Sequence, residues 1–290
     1  MNIVISGLGI IGGSYAKAIK KYTDHTVIGI NRSERPLKLA LECGAIDKIG
    51  TKEDLKTADM LILGTFPMAA VEFIEKNGDY INKNCIVTDT CGIKGKICPK
   101  MVRQYEKYGF TFVGTHPMAG KETNGFESAD ADLFVNASCI IVPCKADNTA
   151  VTFVSDFVRT IGFTQTPVVT PQVHDRMIAF TSQVPHVMAC AYVLSPVCKN
   201  HKGFSAGSYR DVSRVAKINA KLWTELFLEN KEPLTAELDT LIDNLTQIRN
   251  SIANNDDQGL CKQLQMSRQV KEELRESKHC ILQRENPTIL

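Results

Sequence analysis

His116 is the residue of this chain whose type and surroundings most clearly offer chemistry. It lies in the segment Gly-Thr-His-Pro-Met-Ala-Gly at residues 114–120, directly after the apolar run 110–113. That run is typical of a buried strand, so we expect His116 on a loop at the strand's carboxyl end, where open α/β sheets bind their ligands. A neutral imidazole can accept or polarise a substrate proton. The sequence therefore predicts proton transfer at this position.

A glycine-rich loop near the start of the chain offers a second kind of chemistry. Its residues are Gly7, Leu8, Gly9, Ile10, Ile11 and Gly12. This GxGxxG spacing stands between a β-branched run and a helical pattern, the setting in which such a loop holds a dinucleotide pyrophosphate at a helix N-terminus. We therefore predict a dinucleotide site, to which Thr65 is also assigned. Proton and hydride transfer would then meet in one site.

The end of the second predicted strand bears on the choice of cofactor. Sites for NAD usually carry an acid there, which binds the adenine ribose. This chain has Asn31, Arg32 and Ser33 instead. Because Arg32 and Ser33 can hold a 2′-phosphate through charge-assisted hydrogen bonds, the sequence favours NADP over NAD. The alternative is that Arg32 is only a solvated loop charge.

Composition limits the class of protein. The 290 residues suit two domains, and 43% hydrophobic with 23% charged residues are typical of a globular protein with a sizeable core. The formal net charge of +2 gives no argument for a nucleic-acid partner. The 10 scattered cysteines, with no CxxC and no paired Cys/His spacing, indicate reduced thiols and no metal site. Since we find no signal peptide and no apolar run of about 18 residues, we expect a cytoplasmic protein without membrane contact.

The first half of the chain alternates apolar runs with helical patterns. The predicted strands are 2–6, 27–30, 60–63, 85–88, 110–113 and 139–142. Short runs of this kind, separated by helices, indicate an α/β fold with a parallel, doubly wound Rossmann sheet. We place this dinucleotide-binding domain at residues 1–168, because the stretch 166–171 contains two prolines and little periodicity.

The remainder of the chain is predicted to be helical. The expected helices cover 173–194, 209–229, 234–253 and 258–275, with no strand after Pro171. They form an all-helical substrate and dimerisation domain at 169–276, followed by a flexible tail at 277–290. The stretch 177–194 is so apolar that it needs burial on most sides, which a partner subunit provides. We therefore expect a homodimer.

Two further motifs complete a resemblance to a known family. They are Ser182-Gln183-Val184-Pro185-His186 and Tyr209-Arg210-Asp211-Val212-Ser213-Arg214-Val215-Ala216. With these, the His116 segment and the glycine loop, the chain resembles the prephenate/arogenate dehydrogenases of tyrosine biosynthesis over about residues 1–275. The resemblance implies a Rossmann domain joined to a helical domain that forms the dimer. It also implies oxidative decarboxylation of prephenate to 4-hydroxyphenylpyruvate, with hydride transfer from C4 to NAD(P)+.

The resemblance assigns roles to individual residues. It makes His116, His186 and Arg214 the catalytic set: His116 accepts a hydrogen bond from the C4 hydroxyl, His186 is a second histidine of the site, and Arg214 binds a substrate carboxylate. That last role suits a planar guanidinium, which grips a carboxylate bidentately. The implied substrate-binding residues are Arg214, Glu122, Gln183 and Trp223.

The chain also matches or departs from the family at several other positions. Asp175 and Arg210 fall where family members place an ion pair at the pocket mouth. Gly92 stands where the family often has a serine that touches both substrate and cofactor. Thr90, Cys91 or a water molecule remain as candidates for the missing hydroxyl. Gln183 replaces the first histidine of the usual SHxPH motif and cannot titrate near neutrality.

Each site residue has a plainer alternative. In these alternatives, Arg214 would belong to a surface charge cluster and His186 would bond a backbone carbonyl beside a helical proline. Trp223 would pack in a core, and Glu122 would cap the following segment. Cys91 has no matched base, so we do not interpret it as a nucleophile. The remaining histidines, His25, His174, His201 and His279, have no constellation around them and receive no role.

Three other functions remain open at this point. An arogenate dehydrogenase would give tyrosine directly. A 3-hydroxyacid dehydrogenase or proline-type reductase would need a catalytic lysine or another partner in the helical domain, and the motifs fit it poorly. A non-catalytic dinucleotide-sensing interaction protein would keep the glycine loop without needing His116, His186 and Arg214.

Overall fold

The computed structural model describes residues 1–121 and 123–284, with side chains up to residue 274. The strands are β1 (Asn2–Ser6), β2 (Thr26–Ile30), β3 (Lys48–Ile49), β4 (Met60–Leu63), β5 (Ile86–Asp89), β6 (Thr111–Pro117) and β7 (Cys139–Val142). They form a seven-stranded sheet in the order β3-β2-β1-β4-β5-β6-β7. This order confirms the predicted Rossmann fold. The chain winds away in opposite directions from β1 and β4, which creates a crevice at the carboxyl ends of these strands.

Apart from the exposed β3, the strands are buried on both faces of the sheet, because successive side chains enter two separate cores. In β1, Ile3 and Ile5 pack in one core and Val4 packs in the other. The covering helices are α1 (Ile10–Tyr22), α2 (Glu34–Glu42), α3 (Pro67–Asn77), α4 (Ile97–Tyr108) and α5 (Asn148–Thr160). The first core takes side chains from α1, α2 and α5, and the second takes them from α3 and α4. Burial on both faces explains why the strands are short, continuous apolar runs.

The sheet differs from the sequence prediction in three places. β3 has two exposed residues and no apolar run, so its pattern does not reveal it. β7 runs antiparallel to β6, which makes the sheet mixed and not wholly parallel. β6 continues past its predicted end, so His116 lies within the strand, opposite Ile140 of β7, and not on a loop. The cause is that β6 extends beyond the end of β5. From Gly114 onward, β6 forms its hydrogen bonds with β7.

The helices after residue 170 are α6 (Pro171–Ile178), α7 (Val184–Val193), α8 (Gly207–Ser213), α9 (Ala220–Glu229), α10 (Lys231–Ala253) and α11 (Asp257–Arg284). A π-helical turn, Ala179–Gln183, joins α6 to α7 just before Pro185. The predicted helix at 209–229 is divided into α8 and α9 by a 3-10 turn, Arg214–Ala216. As predicted, no strand follows Pro171 within the described part of the chain.

The chain divides into two compact units, residues 1–234 and a second unit that begins at Thr235. The second unit contains α11, which includes residues 277–284 of the predicted tail, while 285–290 lie outside the described residues. The predicted division at 168–169 stays a prediction. Among the residues described, no helix is long and apolar enough to cross a membrane.

Candidate active site

The glycine loop between β1 and α1 leaves no room for side chains on the protein side. Gly7 has a φ of 95°, in the left-handed region that favours glycine. A Cβ on Gly12 would overlap the carbonyl oxygen of Gly7, so α1 packs directly on the turn. A Cβ on Gly9, in contrast, would meet nothing within 4 Å. The open side of Gly9 is therefore where a pyrophosphate can approach the backbone.

The first turn of α1 is suited to bind an anion. Its N-cap, Gly9, makes no side-chain cap hydrogen bond, and the turn carries no acidic residue. The first N–H groups of a helix have no intrahelical partner, and the helix dipole favours negative charge there. The N–H of Leu8 donates to Asn31 Oδ1 at 3.0 Å, which fastens the loop to the end of β2. The N–H groups at the start of α1 are thus the donors available to a phosphate, and the bond to Asn31 holds the loop that precedes them.

A buried hydroxyl at the same edge also fits a dinucleotide. Thr65 follows β4, and its Cγ2 lies 2.5 Å from the point where a Cβ on Gly7 would stand. Its Oγ1 is buried and has no hydrogen-bond partner among the described residues. Because such an orphaned hydroxyl costs about 1–3 kcal/mol, a polar atom of a ligand is its expected partner. The glycine cradle, the helix N-terminus and Thr65 together fit NAD or NADP.

The residues after β2 do not decide between NAD and NADP. Arg32 and Ser33 are both exposed. The carbonyl of Ser33 accepts a hydrogen bond from Asn31 Nδ2 at 3.0 Å. Arg35, the next cation along the chain, lies 2.9 Å from Glu127 Oε1. Arg32 is therefore the better placed of these two arginines to meet an added phosphate.

The end of β5 holds a buried ion pair. Lys94 Nζ lies 2.7 Å from Asp89 Oδ2, and both side chains are fully buried. Asp89 also accepts the backbone N–H groups of Cys91 at 3.0 Å and Thr115 at 3.1 Å. These bonds fasten the loop after β5 to β6, the strand that carries His116. Burial lowers the pKa of Lys94 and the Asp89 carboxylate raises it; the net shift is upward, so the ammonium stays charged.

Removing this ammonium is expected to destabilise the fold strongly. In Lys94→Met the Asp89 carboxylate would stay buried without its counter-charge, which typically costs about 3–5 kcal/mol. Urea unfolding at neutral pH measures this cost. Lys96→Met, at an exposed lysine two positions later, is the control and should stay within about 0.5 kcal/mol of the unsubstituted chain. A cost below about 1 kcal/mol for Lys94→Met would contradict a buried pair.

The Nε2 atom of His116 lies on the side of the imidazole that is next to Gly92. A Cβ on Gly92 would lie 3.7 Å from His116 Nε2 and 3.6 Å from Leu226 Cδ2 of α9. A larger residue at this position would therefore grow toward the imidazole. Thr90 and Cys91, the candidates for the missing family hydroxyl, lie within reach of backbone carbonyls instead, at 3.4 Å and 3.7 Å.

The Nδ1 atom of His116 contacts a second histidine. It lies 2.9 Å from His174 Nε2, and His174 Nδ1 lies 2.7 Å from Asp175 Oδ1. Asp175 accepts the backbone N–H groups of Lys94 at 2.8 Å and Gly95 at 2.6 Å. Three side chains thus form a continuous hydrogen-bonded row from the loop after β5, through α6, to β6.

Both imidazoles of this row are neutral at physiological pH. Burial, above all, holds the pKa of His116 well below 6.5, and His174 and the Lys94 ammonium lower it further. The pKa of His174 is also lowered, mainly by burial, although its bond to Asp175 acts in the opposite direction. His116 therefore has a lone pair available to act as a base or a hydrogen-bond acceptor.

His186, Arg214 and Trp223 are brought together by α7, the 3-10 turn and α9. The imidazole of His186 stacks on the indole of Trp223, with ring centroids 3.7 Å apart. Its Nδ1 lies 2.7 Å from the carbonyl of Ser182, so the plainer alternative for His186 is observed alongside the stack. Burial lowers the pKa of His186, and the Arg214 cation lowers it further, while the Ser182 carbonyl raises it. His186 is thus a neutral ring that lies beside a cation.

Gln183 links the π-helical turn to α9. Its Nε2 donates to the carbonyl of Leu226 at 3.0 Å, and its Oε1 accepts from Asn230 Nδ2 at 2.7 Å. Asn230 Nδ2 also lies 2.9 Å from the carbonyl of Asp175. The predicted contact of Gln183 with a substrate therefore has to use the remaining donor and acceptor of its amide.

The other residues considered in the sequence are the Asp175–Arg210 pair, Glu122 and Cys91. Asp175 is only 6% exposed, and its carboxylate binds backbone N–H groups and His174, so the predicted ion pair with the exposed Arg210 is wrong. Glu122 lies outside the described residues. Burial raises the pKa of the Cys91 thiol well above its ordinary value, which disfavours the thiolate that a nucleophile needs.

His174, for which the sequence indicates no surrounding constellation, contacts both His116 and Asp175 in the structure. The buried residues of α6 are His174, Asp175 and Ile178. Since His174 precedes Ile178 by one helical turn, a polar pair shares the face of a buried isoleucine and needs partners inside the protein. This pattern in the sequence could have indicated that His174 and Asp175 are buried together. Within the described residues, no group of three His, Cys, Asp or Glu side chains is arranged to hold a metal ion.

The sequence models of two protein-family domains match most of the chain. The prephenate dehydrogenase nucleotide-binding domain matches residues 15–165, and the prephenate dehydrogenase dimerization domain matches residues 170–266. The chain belongs to the prephenate dehydrogenase family. It is an oxidoreductase of that family, and the resemblance drawn from its motifs is confirmed.

Individual members of the prephenate dehydrogenase family agree over nearly the whole length. A cyclohexadienyl dehydrogenase of Zymomonas mobilis is 30% identical over 283 residues, covering 93% of this chain and 94% of that protein. The crystal structure of Synechocystis arogenate dehydrogenase is 26% identical with a TM-score of 0.81, covering 94% and 100%. Prephenate dehydrogenase from A. aeolicus, in complex with hydroxyphenyl propionate and NAD+, has a TM-score of 0.84 at 24% identity, covering 94% and 98%, which shows the shared fold.

Proposed function

We propose that this chain catalyses the oxidative decarboxylation of prephenate to 4-hydroxyphenylpyruvate, with NAD+ or NADP+ as the hydride acceptor. The observation that carries the proposal is the neutral His116, whose Nε2 lies beside Gly92 at the end of the sheet. It lies on the same sheet edge as the glycine loop. Membership of the prephenate dehydrogenase family supports the same reaction.

The role of His116 in this reaction is to hold and return one proton. When bound, the nicotinamide cofactor accepts the hydride that leaves C4 of the substrate. His116 Nε2 accepts the hydrogen bond of the C4 hydroxyl and takes its proton as C4 becomes a carbonyl carbon. Loss of the ring carboxylate as CO2 makes the ring aromatic, and the resulting phenolate takes the proton back from His116.

Arg214 is proposed to bind a carboxylate of the substrate. Its charge acts on the half-buried His186, which in turn stacks on Trp223, so a cation and two rings line one region. A guanidinium binds a carboxylate through two parallel hydrogen bonds, and Trp223 offers a flat wall for the cyclohexadiene ring. Roles for His186 and Gln183 in the same pocket belong to this proposal, and the substrate contact of Glu122 stays a prediction from the sequence.

Turnover of prephenate is the direct test of this function. Purified protein with prephenate and either cofactor should form reduced nicotinamide, CO2 and 4-hydroxyphenylpyruvate in equal amounts. Turnover of arogenate to tyrosine, without turnover of prephenate, would correct the substrate. Cofactor binding with no turnover of either acid would overturn the proposal and favour a dinucleotide-sensing protein.

Replacing Arg214 with alanine is expected to weaken substrate binding more than it slows turnover. The carboxylate contact exists in the ground state as well as in the transition state, so KM for prephenate should rise about 10- to 100-fold while kcat changes little. Steady-state kinetics measure both values. Arg103→Ala, at an exposed arginine of α4, is the matched control. An unchanged KM would leave Arg214 as a surface charge.

We propose NADP+ as the preferred cofactor. The exposed Arg32 at the end of β2 supports this choice, since a 2′-phosphate would find a cation there. Arg32→Ala should raise KM for NADP+ about tenfold or more and leave KM for NAD+ unchanged. Arg35→Ala is the control, because Arg35 pairs with Glu127. A preference for NAD+ in kcat/KM that persists in Arg32→Ala would refute the choice.

We propose that the protein is a homodimer through its helical part. The exposed large apolar side chains of α6, the π-helical turn and α7 support this proposal: Val173, Met177, Phe180, Met188 and Tyr192. Apolar side chains this close together are typical of an interface. The match to a dimerization domain at residues 170–266 supports it too. Sedimentation at micromolar concentration should give twice the chain mass of 32.1 kDa, and the single-chain mass would contradict it.

A further inference from the structure

We propose that His174 and Asp175 are positioning residues that fix the tautomer of His116, so that its Nε2 carries the lone pair toward the substrate. The inference rests on the proposed function for its effect on turnover. The position of the proton on His116 is a property of the free protein and is testable without any substrate. Neither His174 nor Asp175 needs to touch the reacting atoms for this role.

The direction of the hydrogen bonds starts at Asp175. Its two carboxylate oxygens accept the backbone N–H groups of Lys94 at 2.8 Å and Gly95 at 2.6 Å. A backbone N–H can only donate, so both oxygens are acceptors, as in an ionised carboxylate. The contact between Asp175 Oδ1 and His174 Nδ1, at 2.7 Å, must then have its proton on the histidine.

The next step follows from the two-nitrogen chemistry of a neutral imidazole. With its proton on Nδ1, His174 has a lone pair on Nε2. His174 Nε2 lies 2.9 Å from His116 Nδ1, so the proton of this bond belongs to His116 Nδ1. The remaining nitrogen of His116, Nε2, is left unprotonated. It is the nitrogen that faces Gly92.

The charged surroundings keep this order in place. Two other buried charged groups act on His174. They are Asp89, the last residue of β5, and Lys94, in the loop that follows this strand. They form their own ion pair at 2.7 Å, so neither is free to take the place of Asp175. The Lys94 ammonium also disfavours an added proton on either imidazole. One proton arrangement thus satisfies both hydrogen bonds between the three side chains and leaves the lone pair of His116 Nε2 for a ligand.

Asp175→Asn tests the direction of the row. The asparagine amide is expected to keep its oxygen on the Gly95 N–H, the shorter of the two backbone contacts at 2.6 Å against 2.8 Å for Lys94. Its NH2 then takes the place of Oδ1, gives up the bond from the Lys94 N–H, and donates to His174 Nδ1. His174 must then carry its proton on Nε2, and His116 must accept at Nδ1 and carry a proton on Nε2. By analogy with the orienting aspartate of a serine-protease triad, kcat should fall roughly 10²-fold or more, with little change in KM.

Two substitutions of His174 separate positioning from packing. In His174→Gln the amide can donate to Asp175 and accept from His116 Nδ1, so the tautomer and most of kcat should be retained. In His174→Leu the acceptor is lost, and kcat should fall at least tenfold. Asp156→Asn, at an exposed aspartate of α5, is the matched control for the aspartate change.

Long-range proton–nitrogen NMR spectra of histidine-labelled protein report the tautomer directly. Spectra are recorded above pH 6.5, and the His116 signals are assigned by their loss in His116→Asn. We expect the proton on Nδ1 of His116 in the unsubstituted chain and in His174→Gln, and on Nε2 in Asp175→Asn. Thermal unfolding and cofactor binding identify any variant that is only misfolded.

The outcomes distinguish this inference from the proposed function. A proton on Nε2 of His116 in the unsubstituted chain, or an unchanged kcat and tautomer in Asp175→Asn, would overturn the inference. Equal losses in His174→Gln and His174→Leu would also count against it. If the tautomer behaves as expected but neither prephenate nor arogenate is turned over, the inference stands and the proposed function fails.

Discussion

His116→Asn is expected to lower kcat for prephenate by about 10²- to 10⁴-fold, the usual range for loss of a general base. The asparagine amide can replace Nδ1 as the donor to His174 Nε2, which His116 contacts at 2.9 Å, so the fold should survive. It has no group that accepts a proton near neutral pH. Steady-state kinetics with saturating cofactor measure the loss, and the dissociation constant for the cofactor should stay within about twofold.

The matched control for this substitution is His25→Asn. His25 lies just before β2, and its Nδ1 is 3.5 Å from the chain's terminal amine, so the change removes an imidazole that we place outside the site. Its kcat should equal that of the unsubstituted chain. If His116→Asn loses less than about threefold, His116 is not the proton acceptor.

Gly9→Ala is expected to weaken cofactor binding without affecting the fold. The added methyl group would meet no protein atom within 4 Å, so the free energy of unfolding should fall by no more than about 1 kcal/mol, the cost of alanine in place of glycine at an N-cap. The same methyl group would stand in the space proposed for the pyrophosphate. We expect the dissociation constant of the cofactor to rise at least about tenfold, or about 1.4 kcal/mol, in isothermal titration calorimetry.

Gly12→Ala is the companion variant, with a different expected outcome. Its methyl group would overlap the carbonyl oxygen of Gly7, so the turn must shift and the fold should lose about 1–3 kcal/mol together with cofactor affinity. Unchanged cofactor affinity in Gly9→Ala, with normal stability, would show that the cofactor does not bind along this loop.

The features predicted well from the sequence are those determined by short stretches of chain. The glycine loop could be predicted because a strand, a tight turn and a helix follow one another within residues 2–22. The doubly wound class of the sheet followed from apolar runs separated by helices, whereas the exposed β3 was missed. The position of His116 did not follow, because its strand is lengthened by pairing with β7, and that partner is antiparallel and lies further along the chain.

The site was predicted in part for the same reason. His116 and Arg214 each carry a local motif. His174 stands 58 residues from His116, and only the packing of α6 against the sheet brings their rings together. Likewise, the predicted ion pair of Asp175 and Arg210 failed because Asp175 is drawn inward by backbone N–H groups of the loop after β5. Long-range partners of this kind cannot be recovered from spacing alone.

The buried imidazoles of His116 and His174 make the protein sensitive to acid. Both have a pKa below the ordinary value of 6.5 in the folded state, so the unfolded chain takes up more protons as the pH falls below that value. Their contribution to stability is complete above pH 6.5 and declines as the pH falls through the lowered folded values. Acidification therefore favours unfolding by mass action on protons, and mildly alkaline buffers suit purification and storage.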